Sequence, residues 1–212
     1  MSLLYPSFLP NILHRIVANP WIYDLIQLLL GARYICHLIA SQIPYLSSAS
    51  IVLDLGGGTG TSKSLWRSDT AYICLDIEMH KLHGFKRKHP DGIALLSDAT
   101  CSPIRSGIVD AVLCIAVAHH LSDDMLIQLI NESARVLKSA GKFIFVDPIW
   151  KPQRWAQRLL WKLDRGNYPR TAEALLSALS QHYTITHWER FLVLHEYVLC
   201  AGAKRSRKNT ES

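Results

Sequence analysis

The sequence predicts an α/β fold: a seven-stranded, mostly parallel sheet with helices on both faces and a C-terminal antiparallel hairpin. Three observations carry this. Short apolar runs recur at 51–55, 71–76, 93–96, 110–117 and 142–147, separated by polar or helix-patterned segments. The first run, "IVLDL", ends in the glycine cluster "GGGTG". The last third closes with "YTITHWERFLVL" and "EYVLCAGA", two strand-like runs near enough in sequence to pair.

Taken in order, Asn19 before Pro20 starts a helix, with a capping side chain and then proline at the first helical position. That helix runs through "WIYDLIQLLL" to a break at Gly31, and a second follows over about 32–42. "IVLDL" (51–55) is short, apolar and bounded by glycines, hence a buried strand. A short helix is expected from Thr61 to Arg67, and "AYICLD" (71–76) is the second buried strand. The polar segment "HKLHGFKRKHPDG" predicts at most a short helix and a loop before the third strand, "IALL" (93–96). "DAVLCIAV" (110–117) is apolar on both faces, as a central parallel strand is. Ser122 caps the next helix, in which Met125, Leu126, Leu129, Ile130, Ala134 and Leu137 keep helical spacing. "SAG" then turns the chain into "KFIFVD" (142–147). A segment holding Trp150, Trp155, Trp161 and Tyr168 among basic residues precedes a helix expected from about Thr171 to Gln181, ahead of the hairpin.

A chain of 212 residues, 49% apolar and 19% charged, is globular and most simply one domain. The net charge is +6; Lys204, Arg205, Arg207 and Lys208, less Glu211, supply about half of it. Cys36, Cys74, Cys101, Cys114 and Cys200 contain no CxxC pair, and their number is odd. Cys74, Cys114 and Cys200 fall in strand-like runs. They read as buried thiols of a reducing, cytoplasmic compartment, with no metal site and no disulfide frame. The N-terminus lacks the pattern of a signal peptide. Residues 22–46 are rich in Leu and Ile, but Asp24, Gln27, Arg33, His37 and Pro44 interrupt them, which favours an amphipathic cover helix over a membrane span. The expected organisation is a single domain, 1–212, with a helical cover (1–45), an insertion forming part of a substrate lid (148–170) and a solvated basic tail (204–212). That tail leaves peripheral contact with an anionic membrane surface open.

The glycine loop follows strand one, where an open parallel sheet holds ligands. A dinucleotide site would show G-x-G-x-x-G, but Thr61 stands where its third glycine belongs. No Gly-Lys-Ser/Thr follows, so the phosphate-loop pattern also fails. Asp54, two residues before Gly56, would repel a pyrophosphate and attract an ammonium group. The loop therefore reads as an adenosine-type site without a phosphate.

"LDLGGGTG", "LDIE", "SDAT", "DAVLCIAVAHHL" and "RVLKSAGKFIFVD" follow in that order over roughly residues 50–148. In this the chain resembles the class I S-adenosylmethionine-dependent methyltransferases, with their Rossmann-like fold. The resemblance implies that Asp54 and the backbone of Gly56, Gly57, Gly58 and Gly60 hold the methionine part of the cofactor. It implies that Asp76 takes the ribose hydroxyls, Ile77 packs on the adenine, and Asp98 with the Ala99 backbone meets the adenine amino edge. Ile115 and Ala116 would lie under the methionine part. Local alternatives are a tight turn shaped by Asp54 and the glycines, a helix cap at Asp76 and an ordinary loop aspartate at Asp98. The family often carries a non-glycine residue at the position of Gly57.

A sulfonium methyl is already electrophilic, so the enzyme must align an acceptor and, for an oxygen acid, remove a proton. "AHHLSD" follows strand four, and His120 or His119 is the candidate base; the alternative is that both only shape the pocket or cap the next helix. An (Asp/Asn)-Pro-Pro-aromatic motif, which would grip a flipped base, is absent, and no cysteine stands after proline. Both absences count against nucleic-acid amines and cytosine C5 as acceptors. Tyr23, Trp150, Arg165 and Arg170 are the candidate substrate contacts. The expected acceptor is a small, apolar or amphipathic molecule, methylated at oxygen or carbon. Methylation of protein or RNA, and a non-catalytic binding subunit, are the other readings.

Overall fold

A computed structural model describes residues 31–42, 49–150, 168–193 and 196–205. The elements are α1 (Ala32–Gln42), β1 (Ile51–Leu55), β2 (Ala71–Asp76), α2 (Met79–Lys88), β3 (Ile93–Leu96), β4 (Val109–Ile115), α3 (Asp123–Val136), β5 (Leu137–Pro148), α4 (Ala172–Ser180), β6 (Tyr183–Leu192) and β7 (Glu196–Lys204). The seven strands form one sheet in the order β3-β2-β1-β4-β5-β7-β6. β1 to β5 are parallel, and β7 runs antiparallel to both β5 and β6.

Alternation along the strands divides the core in two. Leu53, Leu55, Val112, Cys114, Phe143 and Phe145 face one side with Leu129 and Ile130 of α3 and Leu175 and Leu179 of α4. Val52, Cys74, Leu113, Ile144 and Val146 face the other with Ile35 and Ile39 of α1 and Leu82 and Phe85 of α2. Each fully buried side chain of this size contributes about 1.5–3 kcal/mol. Asp110, at the foot of β4, joins strands: its Oδ2 accepts from the Ser50 and Ile51 amides at 3.0 and 2.9 Å, and Lys138 Nζ donates to Oδ1 at 2.6 Å.

Several boundaries differ from the sequence reading. The helix expected at Thr61–Arg67 is only a 3-10 turn, Lys63–Leu65. Trp66 leaves it in extended conformation (φ −107°, ψ 154°) to bury its indole in the core, and Lys63 is drawn to Asp91 at 3.0 Å. Conversely, α2 is a full ten-residue helix, anchored by Leu82 and Phe85 beneath its basic face. β4 stops at Ile115 because Ala116 is left-handed, with φ 54°. The "SAG" turn survives as an irregularity within β5, where the register jumps from Val109↔Leu137 to Ala111↔Lys142.

Among the described residues no helix is long and apolar enough to cross a membrane, and no cluster of metal-ligating side chains occurs. All five cysteines are free thiols; Cys74, Cys114 and Cys200 are buried and Cys101 is exposed. The cover segment, the insertion and the tail lie largely outside the described residues.

Candidate functional site

Strand order reverses between β1 and β4, and the loops at their carboxyl ends form the site. The β1 loop turns on left-handed glycines. Gly56 has φ 69°, and a Cβ there would come within 2.5 Å of Val117 Cγ2; Gly58 has φ 58°. Gly57 faces the sheet: its amide donates to the Leu75 carbonyl at 3.0 Å, and a Cβ would meet Cys74 Sγ at 2.8 Å and Asp54 Oδ2 at 2.9 Å. Glycine at this position is therefore imposed by the neighbours that this chain carries.

Asp76 ends β2 with its carboxylate braced by the main chain. Oδ2 accepts the Gly58 amide at 3.0 Å and Oδ1 accepts the Glu78 amide at 2.8 Å. A carboxylate has about four lone-pair sites, so each oxygen has capacity for a further donor. Ile77 follows with 69% of its surface exposed, beside a carboxylate that is only 4% exposed.

Asp54 is 3% exposed. Burial pushes its carboxyl up to about 7, the hydrogen bond from the Tyr72 hydroxyl pulls it back down, and the charge of Asp76 adds to the rise. Its partner Tyr72 plays a part that the sequence reading did not give it; the signal was a polar ring on β2 at the strand position that faces Val52, diagonal to Asp54. Asp98 is exposed and closes a local turn, with Oδ1 accepting from the Thr100 amide and hydroxyl, both at 2.8 Å. Ala99, Ile115 and Ala116 are half-buried. The left-handed alanine carries strain of about 1–2 kcal/mol and redirects the chain into a 3-10 turn, Ala118–His120.

That turn separates the two histidines. His119 is buried and its Nδ1 lies 3.1 Å from Asp147 Oδ1, which also accepts the Ala118 amide at 3.1 Å. His120 is exposed, its ring centroid 4.0 Å from that of His119. Asp147, a strand-end residue in the sequence reading, is thus the carboxylate that fixes His119. The signal for it was adjacency: Val146 of β5 is the register partner of Ile115 of β4.

Of the expected substrate contacts, Tyr23 and Arg165 lie outside the described residues. Trp150 is half-buried and its amide donates to the Arg170 carbonyl at 2.8 Å. Arg170 differs from expectation. Its guanidinium points inward onto the histidine turn, donating to the carbonyls of Ala118 and Leu121 at 2.8 and 2.6 Å and to Asp123 at 2.9 Å.

Residues 53–145 match the protein family described as Methyltransferase domain. The tRNA (carboxymethyluridine(34)-5-O)-methyltransferase ALKBH8 of Mus musculus is 29% identical over 157 residues, which cover 73% of this chain and 22% of that protein. The tRNA (carboxymethyluridine(34)-5-O)-methyltransferase of Arabidopsis thaliana is 31% identical over 125 residues, 58% of this chain and 30% of that protein. The chain thus spans less than a third of the length of these two curated relatives. Among solved structures, the 1,6-didemethyltoxoflavin-N1-methyltransferase of Burkholderia thailandensis superimposes with a TM-score of 0.70 at 14% identity, over 97% of this chain and 93% of that one. The geranyl diphosphate C-methyltransferase of Streptomyces coelicolor gives 0.62 at 13% identity, over 74% and 70%. At these identities the likeness is one of fold.

Proposed function

We propose that this chain, whose residues 53–145 match a methyltransferase domain, is a class I S-adenosylmethionine-dependent methyltransferase that methylates a small, apolar or amphipathic molecule at oxygen or carbon. The observation that carries the reading is the exposed imidazole of His120, backed by the buried His119–Asp147 pair, at the end of β4 beside the glycine loop. The cofactor is S-adenosylmethionine, and the residues present fit it. The glycines leave a backbone cradle that a Cβ would fill, Asp76 offers acceptors for two hydroxyls, and Ile77 offers an exposed apolar surface for a flat ring.

When bound, the cofactor would supply an electrophilic sulfonium methyl, which passes to an aligned nucleophile as its C–S bond breaks and the thioether S-adenosylhomocysteine leaves. The chain's own residues would do three things. Asp54 and the Gly56–Gly60 backbone would hold the methionine part, Asp98 and Ala99 the adenine edge, and Ile115 and Ala116 the floor. Trp150, with Tyr23 and Arg165, would wall the acceptor; alignment of this kind lowers a barrier by roughly 7–11 kcal/mol. His120 would take the acceptor's proton, and His119, fixed by Asp147, would hold the neighbouring ring in place.

The names of two relatives favour a second reading, methylation of an oxygen on tRNA. The chain carries "AVAHH" after β4 in place of the (Asp/Asn)-Pro-Pro-aromatic motif, which counts against nucleic-acid amines and leaves a tRNA oxygen to be tested directly. Incubation with tritiated S-adenosylmethionine separates them. Label extracted into organic solvent from host small molecules supports the proposal; acid-insoluble, ribonuclease-sensitive label on total tRNA overturns it in favour of RNA. Binding of S-adenosylhomocysteine with no transfer to any fraction would leave the binding-subunit reading.

A further inference from the structure

The geometry points to Arg170 as a positioning residue that sets the His119–His120 turn, and this rests on the methyltransferase reading of that turn. A guanidinium has five N–H donors in a rigid fork. All of them are directed here. Nη1 faces the carbonyls of Ala118 and Tyr168 at 2.8 and 3.3 Å. Nη2 faces the Leu121 carbonyl at 2.6 Å and Asp123 Oδ1 at 2.7 Å, and Nε meets the same carboxylate oxygen at 2.9 Å. The side chain is 10% exposed, and no donor is left over for a substrate.

The fork spans the turn from one end to the other. Ala118 and Leu121 flank the two histidines, and the carbonyl between them, that of His119, accepts the Tyr168 amide at 3.1 Å. On the opposite side Asp147 takes the Ala118 amide and His119 Nδ1. The turn is therefore held between a carboxylate on β5 and a guanidinium 47–52 residues away from its partners in sequence. Asp123 Oδ1, the one carboxylate oxygen on the fork, takes both Nε and Nη2 and so aims the guanidinium at the two turn carbonyls. Lysine keeps the charge but cannot reach both carbonyls at once. The cofactor residues on β1 and β2 make none of these contacts, so the clamp acts on the imidazoles and leaves the adenosine side alone.

The test uses the full chain, labelled with 15N and compared with its Arg170→Lys and Arg170→Gln variants. Each is saturated with S-adenosylhomocysteine. In both variants the His119 ring nitrogen signals are expected to shift. The His120 and Leu121 amides, bonded to Val117 and Ala118, should exchange at least tenfold faster. Val112 and Phe145 in the sheet core should exchange at the wild-type rate, with S-adenosylhomocysteine affinity within twofold. Unchanged ring signals and turn exchange would overturn the proposal, as would equal acceleration in the core strands, which marks a general loss of stability. If both variants fail to fold, Asp123→Asn is read instead: exchange at Leu121 at least threefold faster supports the clamp, and an unchanged rate sinks it. Should the wild type fail to bind S-adenosylhomocysteine, the methyltransferase reading falls, while the exchange comparison on the ligand-free chain still decides the clamp.

Discussion

Tyr72 donates its hydroxyl to Asp54 Oδ2 across the β1–β2 ladder, with both side chains buried. This one contact joins the sheet core to the glycine loop, because Gly57 rests directly on the Asp54 carboxyl. Burial, against the pull of this hydrogen bond, leaves a carboxyl that titrates in the neutral range, which gives two expectations.

The first concerns stability. Burial holds the folded Asp54 carboxyl near 7, against about 3.9 for a free aspartate. A folded value raised above the unfolded one gives stability that is fully present below pH 4 and is lost as pH rises towards 7. The loss amounts to about 4 kcal/mol at most. Asp54→Asn removes the titration. The variant should therefore gain on the wild type in chemical denaturation as pH goes from 4 to 8. A difference that stays flat over this range would mean that Asp54 does not titrate as described.

The second concerns the cofactor. In the proposed role the ammonium group would be held by the ionised carboxylate, and below pH 7 a proton occupies it. S-adenosylhomocysteine affinity should fall by up to about tenfold per pH unit below 7, with proton release on binding. Titration calorimetry in two buffers of different ionisation heat reads both. Constant affinity from pH 5.5 to 8 takes Asp54 out of contact with the ammonium.

Asp76→Ala should weaken S-adenosylhomocysteine binding by about 1–3 kcal/mol, because it removes the acceptor for the expected hydroxyls and orphans the Gly58 and Glu78 amides. Calorimetry beside a thermal melt separates lost affinity from lost fold. Wild-type affinity in a folded variant would remove Asp76 from the site.

His120→Ala should lower turnover by about 10²–10⁴, with S-adenosylhomocysteine affinity nearly unchanged, and abolish the rise in rate through the histidine pH range. The assay is transfer of tritiated methyl to the acceptor fraction that the labelling experiment identifies. A variant that keeps its rate and pH profile shows an acceptor that needs no base, and the turn then only shapes the pocket.

The strands were legible because each is a short apolar run between polar punctuation, and the observed sheet reproduces all seven. The helix after the glycine loop was not, because Trp66 finds a better place in the core than on a helix built from Thr61, Ser62 and Ser64. α2 hid behind its His and Lys content, since two anchors, Leu82 and Phe85, suffice to seat it. In the candidate site, the left-handed turns of the glycine loop and the strand-end place of Asp76 were legible because both are local in sequence. The partners of His119 and Arg170 were not, because they are set by strands and turns 28 to 52 residues apart in sequence. Arg170 read as a candidate substrate contact because most of its acceptors are main-chain carbonyls, which leave no mark in a sequence.

β7 lies between β5 and β6 although it follows both in the chain. During synthesis, therefore, the β5 edge from Lys142 to Pro148 waits without the neighbour that residues 197–203 later provide. The nascent polypeptide carries an open, apolar flank, containing Phe143, Phe145 and Val146, until the sheet is closed from within. Ribosome-stalled chains released only as far as residue 195 should remain protease-sensitive at β5, and chains released through residue 205 should be protected. Equal protection of both would mean that the sheet matures without its penultimate place filled. The order in which these strands are made thus differs from the order in which they stand in the sheet, and β7 acts as a keystone.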